Sequence, residues 1–267
     1  MYTKEELLAQ LRRMGVPRDR AVLMHSSLRT VGEVEGGGQG LLDALIDHVT
    51  AEGGLLCVPT HTWSNLGKDQ PTLDMTDPAN SLGAFSVLAA ADPRGIRSEN
   101  PTHSMVVFGA RETAERFVWD DAHITSPTAP SSCYGKLYTQ GGFVLLVGVS
   151  QARNTYLHCV AEMLKLPNRM REEPVRVTVR RKTGEVVERT LAWYDQTTYG
   201  DVSARFPKYE VPFRYDGAIT DGFVGDAPTQ LCDAVKMKET VERIFRHCEG
   251  KDPLRNEAPI PPKWYCR

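Results

Sequence analysis

His158 and Glu162 are the pair of residues best suited by type and spacing to acid–base chemistry, because they stand four positions apart in a segment with helical periodicity. Residues four apart in a helix lie on the same side, one turn from each other. A carboxylate beside an imidazole orients the ring and raises its basicity, as a general base requires. A solvated ion pair on a helix surface has the same spacing, so spacing alone leaves both interpretations open.

A second polar cluster consists of His25, Ser26 and Ser27, which directly follow an apolar run at 21–24. Hydroxyls and backbone N–H groups at the end of a strand can bind a phosphate group or a carbonyl oxygen. The same groups can also serve only to cap the loop. The glycine run at 36–38 lacks the spacing of a P-loop or of a dinucleotide-binding motif, and a turn before a helix explains it.

Scattered histidines raise the question of a metal centre. They stand at positions 25, 61, 103, 123 and 158, without the short-range pairs that are typical of zinc sites. No G-x-S-x-G motif marks a serine nucleophile. Cys159 directly follows His158, so a helix would point their side chains about 100° apart. The sequence therefore favours neither a metal centre nor a nucleophilic dyad within this helix.

The elements that must position these residues alternate between strand and helix. Buried strands are predicted at 21–24, 54–58 and 143–149, and helices at 41–49 and 155–166. This order is typical of parallel strands joined by right-handed crossovers. Ligands of such sheets bind at the carboxyl ends of the strands, where the polar residues that follow the first two strands would lie.

A later segment has a different pattern. The valine alternation at 175–179 predicts a strand, and the stretch at 186–191 can return antiparallel after a turn. The chain contains no internal repeat and no low-complexity linker. We therefore predict an α/β fold with an added antiparallel hairpin, in a single domain over residues 1–267.

The composition is that of an ordinary globular protein, with 267 residues, 41% hydrophobic and 25% charged, and a formal net charge of −2. This excludes a disordered or fibrous chain and gives no overall electrostatic reason to bind nucleic acid. No apolar stretch approaches the ~20 residues that span a bilayer, and we expect no signal peptide. Six scattered cysteines without a C-x-x-C pair fit a reducing compartment, so we expect a cytoplasmic location.

Several segments form an ordered series of motifs. They read LMHSSLRTVG at 23–32, GGG at 36–38, VPT at 58–60, RSENPTHS at 97–104, SCYGKL at 132–137, GGFVLLVGV at 141–149, then Asn154, Thr155 and His158, and finally GAI at 217–219 and GDA at 225–227. In this order they resemble the aminoglycoside 3-N-acetyltransferase family. The resemblance runs over roughly residues 20 to 230, most of the chain.

The resemblance implies a three-layer α/β/α sandwich with a mostly parallel central sheet. It also implies an acyltransferase of antibiotic resistance, which transfers acetyl from acetyl-CoA to the 3-amino group of 2-deoxystreptamine in an aminoglycoside, without a metal. The family's catalytic histidine corresponds to His158. The acyl-donor site would include His25, Ser26, Ser27, Leu28, Arg29, Thr60 and Ser104. A polycationic acceptor would need carboxylates, for which the candidates are Asp69, Asp74, Asp77 and Asp201.

The sequence departs from the family pattern at three positions. Ala161 stands where the family often has the acid of H-x-x-E, and Glu162 comes one residue later. Asn100 replaces a histidine and Cys133 a proline. These departures concern the acid partner and the acceptor pocket more than the acyl donor. The alternatives are acetylation of a different amine or amino sugar, CoA binding without transfer, and a metal-dependent hydrolase. The acceptor, the regiochemistry and the oligomeric state are left open.

Overall fold

The computed structural model describes residues 1–266, and Arg267, the last residue of the predicted domain, lies outside the described part. Within it the strands are β1 (Ala21–Ser26), β2 (Leu55–Pro59), β3 (Leu73–Asp74), β4 (Ile96–Arg97), β5 (Met105–Phe108), β6 (Phe143–Val147), β7 (Val175–Arg180), β8 (Val186–Leu191), β9 (Ile219–Val224) and β10 (Ala227–Asp233). The helices are α1 (Lys4–Met14), α2 (Gly37–Val49), α3 (Ala84–Ala91), α4 (Arg111–Val118), α5 (Cys133–Thr139), α6 (Tyr156–Met163), α7 (Glu210–Tyr215) and α8 (Ala234–Arg246). A 3-10 helix, Val202–Tyr209, directly precedes α7.

Seven strands form the central sheet, in the order β4-β5-β2-β1-β6-β10-β9. At its centre β2, β1 and β6 pair in parallel, whereas β5 and β10 run antiparallel to both of their neighbours. Five of the seven strands thus point in one direction, which confirms the mostly parallel sheet. The two reversed strands were not predicted. A two-residue turn joins β9 to β10, and so short a connection requires antiparallel pairing.

The sheet lies between two helical layers because alternate residues of each strand face opposite sides. Leu23 and Cys57 belong to a core that also contains buried residues of α4, α5, α6 and α8. The next residues along the same strands, Met24 and Val58, belong to a second core with residues of α1, α2 and α3. The predicted three-layer α/β/α architecture is confirmed.

β3, β7 and β8 form a separate three-stranded sheet. β7 and β8 pair antiparallel, which confirms the predicted hairpin, and β3 adds to β7 in parallel. Val177 and Leu191 are buried in its own small core. The chain that leaves β8 passes directly to Trp193 and Tyr194, which line a cleft beside the central sheet.

α6 carries the residues on which the predicted chemistry depends. It follows β6 after a 3-10 turn at Gln151–Arg153, and its buried face packs into the core of the second helical layer. It ends before the predicted residue 166, and Lys165 takes a left-handed conformation with φ 50°. None of the helices in residues 1–266 has the length and apolarity that crossing a membrane requires.

Candidate active site

A cleft of about 280 Å³ opens at the carboxyl ends of β1 and β2, beside the first turn of α6. Side chains from the segment after β8 and from the 3-10 helix complete its wall. Its lining contains four imidazoles (His25, His61, His103 and His158), the aromatic rings of Trp63, Trp193, Tyr194 and Phe206, the carboxylates of Asp195 and Asp201, and the guanidinium of Arg153. The position agrees with the rule that ligands bind at the carboxyl ends of parallel strands.

The predicted base, His158, is half-buried in this cleft. Its ring stacks on Tyr194 with a centroid distance of 4.6 Å, and the edge of Phe206 lies 4.9 Å away. Its Nε2 lies 3.4 Å from Ser203 Oγ. Burial lowers the pKa of His158 to about 3, with smaller contributions from His103 and Arg169. The imidazole is therefore neutral at pH 7 and able to accept a proton.

Glu162 has hydrogen-bond partners other than His158. Its carboxylate accepts hydrogen bonds from Ser126 Oγ, from Thr128 Oγ1 at 2.6 Å and from the Thr128 backbone N–H at 3.1 Å. Burial raises its pKa, and these hydrogen bonds partly oppose that shift. Among the described residues no hydrogen bond or ion pair joins Glu162 to His158. The expected direct pair is not formed because the loop at 126–128 offers three donors to the same carboxylate.

An indirect connection nevertheless links Glu162 to His158. Thr128 Oγ1 lies 2.8 Å from the hydroxyl of Tyr194, and Tyr194 stacks on the ring of His158. Because Thr128 gives its single hydroxyl proton to Glu162, it accepts the proton of Tyr194. Glu162 is thus connected to the face of the imidazole through two intervening side chains. Tyr194 was missed in the sequence because it follows β8 in an irregular segment.

Among the predicted acyl-donor residues, only His25 lines the cleft. The residue is 8% exposed, and its Nε2 has no hydrogen-bond partner among the described residues. Burial, helped by the charge of Arg153, lowers its pKa to about 3, so the ring is neutral. Ser26 and Ser27 follow it at the end of β1, and the 3-10 helix Leu28–Val31 then leads to an exposed Arg29.

Thr60 and Ser104 are fully buried and hold the end of β2 against the start of β5. Their hydroxyls lie 2.9 Å apart, and Ser104 Oγ donates to the Thr60 carbonyl at 2.7 Å. Arg97 donates to the same carbonyl at 3.2 Å, and burial lowers its pKa to about 10. His61 follows Thr60 in the sequence and His103 precedes Ser104, and both histidines line the cleft. The structure therefore places Thr60 and Ser104 in the support of the cleft wall.

His61 was predicted to lie at the carboxyl end of the second strand, and both His61 and His103 were considered as metal ligands. Their ring centroids lie 4.5 Å apart, His61 Nε2 is 2.8 Å from the Tyr134 hydroxyl, and His103 Nδ1 is 3.0 Å from Thr102 Oγ1. Burial lowers the pKa of both, to about 3 for His103. Within residues 1–266 no group of three or more His, Cys, Asp or Glu side chains is arranged to hold a metal ion.

The predicted acceptor carboxylates separate into different regions. Asp201 lines the cleft and accepts hydrogen bonds from Ser203. Asp74 lies in the small sheet, where it pairs with Arg180; Asp69 and Asp77 do not line the cleft. Asp195 does, although it was not predicted, and hydrogen bonds from Thr197 and Thr198 lower its pKa to about 2.

Comparisons with known proteins agree with the motif series. A model of the aminoglycoside 3-N-acetyltransferase family matches residues 23–246. The SPbeta prophage-derived aminoglycoside N(3')-acetyltransferase-like protein YokD of Bacillus subtilis (strain 168) is 23% identical over 269 residues, which cover 94% of each chain. A crystal structure of a mutant of aminoglycoside acetyltransferase AAC(3)-IVa in complex with gentamicin is 28% identical, with a TM-score of 0.76 over 100% of this chain and 94% of that one. The binary structure of AAC-IIIb with CoASH shares the fold, at 23% identity and a TM-score of 0.77 over 92% and 97% of the two chains.

Proposed function

The chain belongs to the aminoglycoside 3-N-acetyltransferase family, and on this basis we propose that it transfers acetyl from acetyl-CoA to the 3-amino group of 2-deoxystreptamine in an aminoglycoside. One observation carries the proposal: His158, which the resemblance matches to the family's catalytic histidine, lines a cleft with two carboxylates, and burial lowers its pKa to about 3. A neutral imidazole can remove a proton from an amine, and carboxylates attract a polycationic acceptor.

We assign His158 the role of general base. The acceptor amine, in its uncharged form, attacks the carbonyl carbon of the thioester and gives a proton to His158. A nitrogen–carbon bond forms and a tetrahedral intermediate results. When this intermediate collapses, the carbon–sulfur bond breaks, and the CoA sulfur takes the proton that His158 held. Each turnover therefore leaves the imidazole neutral again.

His25 is suited to the acyl-donor side of the reaction. Its neutral ring presents an unpartnered Nε2 at the end of β1, in the same cleft as His158. When that nitrogen carries the ring's proton, it can donate to the thioester oxygen as negative charge develops there. Arg153 in the cleft and the exposed Arg29 provide positive charge for the CoA phosphates. Ser26, Ser27 and Leu28 complete the loop between His25 and Arg29, whereas Thr60 and Ser104 support the wall.

Asp195 and Asp201 are suited to the acceptor side. Both line the cleft, and neither forms an ion pair within residues 1–266. Carboxylates without a cationic partner leave their negative potential available to amino groups of the acceptor. The rings of Trp63 and Trp193, which also line the cleft, add apolar surface for the faces of sugar rings. The cleft therefore combines features suited to a charged amino sugar.

The experiment that tests the proposed function is a thiol-release assay with acetyl-CoA and a panel of acceptors. We expect thiol release with a 2-deoxystreptamine aminoglycoside and a monoacetylated product whose NMR spectrum places the acetyl group on the 3-amino nitrogen. Glucosamine and spermidine serve as acceptors without the 2-deoxystreptamine ring. Turnover of glucosamine but not of an aminoglycoside would show that the acceptor is a simple amino sugar. If the folded protein turns over none of the amines, acetyl transfer is overturned.

A further inference from the structure

The side chain that meets His158 Nε2 is Ser203, at 3.4 Å. Ser203 is bound in turn to Asp201, whose Oδ1 accepts from the Ser203 hydroxyl at 2.5 Å and from its backbone N–H at 3.0 Å. All three side chains line the cleft. Hydrogen bonds of catalytic groups are often long in the absence of substrate and shorten when it binds. The structure thus contains a hydrogen-bonded chain from a carboxylate to the imidazole, with one intervening hydroxyl.

Counting protons fixes the donor and the acceptor of each hydrogen bond from His158 through Ser203 to Asp201. A hydroxyl has one proton, and an ionised carboxylate can only accept. Ser203 therefore donates its proton to Asp201 and can only accept from His158, so Nε2 must carry the ring's proton. The lone pair of the neutral imidazole is then on Nδ1, which becomes the atom that takes the proton of the amine. These hydrogen bonds therefore select the Nε2–H tautomer of His158.

We propose that Asp201 is the acidic positioning residue of His158 and that it acts through Ser203. This inference rests on the proposed function, because it assigns the partner that the base needs during acetyl transfer. The chain holds the Nε2–H tautomer in the resting enzyme and stabilises the imidazolium after the proton has arrived. Asp201 thereby fills the role that helix spacing had suggested for Glu162.

The charges around His158 favour Asp201 over the other candidates. From α6 itself, Glu162 reaches the ring only through Thr128 and Tyr194. His103, on the segment before β5, is neutral, and Arg169, on the segment after α6, is bound to the buried Asp252. Tyr194 and Phe206 present uncharged rings.

The carboxylate of Asp201, by contrast, is in no ion pair among the described residues, so its charge is not neutralised by a cation. Asp201 itself is exposed, and water screens its charge in the free enzyme. Substrates that fill the cleft displace this water and strengthen the interaction.

A purely structural role is the competing explanation, because Asp201 also caps the 3-10 helix Val202–Tyr209. Capping requires only the bond to the backbone N–H of Ser203, and not the bond to its hydroxyl. The Ser203→Ala variant keeps the cap and loses the connection to His158. Asp201→Asn keeps an acceptor oxygen for the cap and loses the charge. Ser203→Thr is the conservative variant, since it keeps the hydroxyl.

Asp195→Asn is the matched control. Asp195 lines the same cleft, and it accepts from the backbone N–H and the hydroxyl of Thr197 at 2.7 and 2.6 Å, much as Asp201 accepts from Ser203. Among the described residues no hydrogen bond or ion pair joins it to His158. Its substitution tests whether the loss of any hydrogen-bonded carboxylate in the cleft is sufficient to change the tautomer of His158.

The experiment measures kcat and KM against pH, with ¹⁵N NMR of histidine-labelled protein at pH 7 to identify the tautomer of His158. Because a nearby carboxylate raises the pKa of an imidazole, its loss weakens the base. For Asp201→Asn and Ser203→Ala we expect kcat to fall about tenfold, which corresponds to a decrease of about one unit in the pKa of His158. The acidic limb of the kcat profile shifts to lower pH, and KM for acetyl-CoA is unchanged. In Ser203→Ala the NMR signal of His158, identified by its loss in His158→Gln, changes from the Nε2–H form to a mixture of tautomers, whereas Asp201→Asn, which keeps the acceptor oxygen for Ser203, lowers kcat with the tautomer unchanged. Ser203→Thr retains the acidic limb and the tautomer of the wild type, and Asp195→Asn leaves the tautomer of His158 unchanged.

Two outcomes would overturn the inference. One is wild-type kcat with an unchanged tautomer in both variants. The other is a kcat loss in Ser203→Ala with an unchanged tautomer and a lowered melting temperature, which shows capping alone. Failure of the proposed function is distinguishable, since a wild type that acetylates no amine can still show the tautomer change. That result would support the hydrogen-bonded connection from Asp201 to His158 and would overturn the proposed acetyl transfer.

Discussion

Glu162 and Asp201 both connect to His158, yet they do so from contrasting environments. Glu162 lies on the same regular helix, is largely buried and receives three hydrogen bonds from the loop at 126–128. Asp201 lies in an irregular segment, is exposed and reaches the imidazole through one hydroxyl. The buried carboxylate holds two parts of the fold together, whereas the exposed one is the acid that we propose for positioning the proton on His158. Spacing along a helix therefore does not by itself identify the carboxylate that is hydrogen-bonded towards an imidazole.

The largest effect is expected from substitution of His158, the residue to which both Glu162 and Asp201 connect. His158→Ala removes the base, and we expect kcat to fall by about 10² to 10⁴ with little change in KM for acetyl-CoA. Steady-state kinetics measure this, with His123→Ala as the control, since His123 is exposed and lines a groove outside the cleft. In the His158→Ala background, Asp201→Asn should cause no further loss in kcat at saturating acceptor. A further tenfold fall in that double variant would show that Asp201 acts independently of the imidazole.

The two carboxylates should differ next in their effect on stability. Glu162→Ala leaves Ser126 and Thr128 with buried donors that have lost their acceptor, so we expect a loss of about 1–3 kcal/mol in the free energy of unfolding. Asp201→Asn keeps the acceptor of a solvent-exposed cap, and a change of only a few tenths of a kcal/mol is expected. Urea denaturation measures both. Equal destabilisation by the two variants would contradict the division between a buried structural acid and an exposed positioning acid.

The imidazole itself gives a prediction about pH. The pKa of His158 is about 3 in the folded protein, as are those of His25 and His103, against an ordinary value near 6.5. The unfolded chain therefore binds more protons as the pH falls below about 6.5, and stability is lost progressively from there towards pH 3. Each such histidine contributes a slope of up to about 1.4 kcal/mol per pH unit.

Urea denaturation at pH 7, 6 and 5 tests this slope in the wild type and in His158→Gln. The variant lacks one of the histidines whose pKa is lowered by burial, so its stability should depend less steeply on pH. Asp195→Asn, which leaves all the histidines in place, is the control. An identical slope in His158→Gln and the wild type would show that His158 gains a proton in the folded state as readily as in the unfolded chain.

The smallest effect is expected from Tyr194→Phe. This variant keeps the ring that stacks on His158 and removes the hydroxyl that joins it to Thr128. Loss of one neutral hydrogen bond across the ring face should reduce kcat by about threefold, less than Ser203→Ala does. Parallel kinetics of the two variants compare the connections directly. A larger loss in Tyr194→Phe would make Glu162 the acid on which the base depends.

The parts of the fold that follow from local periodicity were predictable. The strands of the parallel centre, the helix that carries His158 and the hairpin after residue 175 all appear as the sequence indicated. The reversed strands did not, because strand direction depends on connections and neighbours that a single apolar run does not specify. His158 and His25 were predicted as cleft residues because each follows a strand that the pattern identifies.

The rest of the site came from residues whose local sequence gives no signal. Tyr194 and Ser203 lie in or next to irregular segments, and only the tertiary structure brings them to the imidazole. Thr60 and Ser104 were identified through family motifs, yet the structure shows their hydroxyls satisfied by each other and by the backbone. A motif marks residues that matter to a site without telling which of them face the ligand.

The small sheet has a consequence for how such a protein can diverge. It is built around a hairpin that stands apart from the central sheet, yet the segment leaving β8 brings Trp193, Tyr194 and Asp195 to the cleft. The seven central strands and α6 lie outside this hairpin, which ion pairs from Arg181 and Arg189 to Glu99 hold in place. A change of sequence in the segment that leaves β8 would therefore alter the entrance of the cleft while the central sheet keeps its own residues.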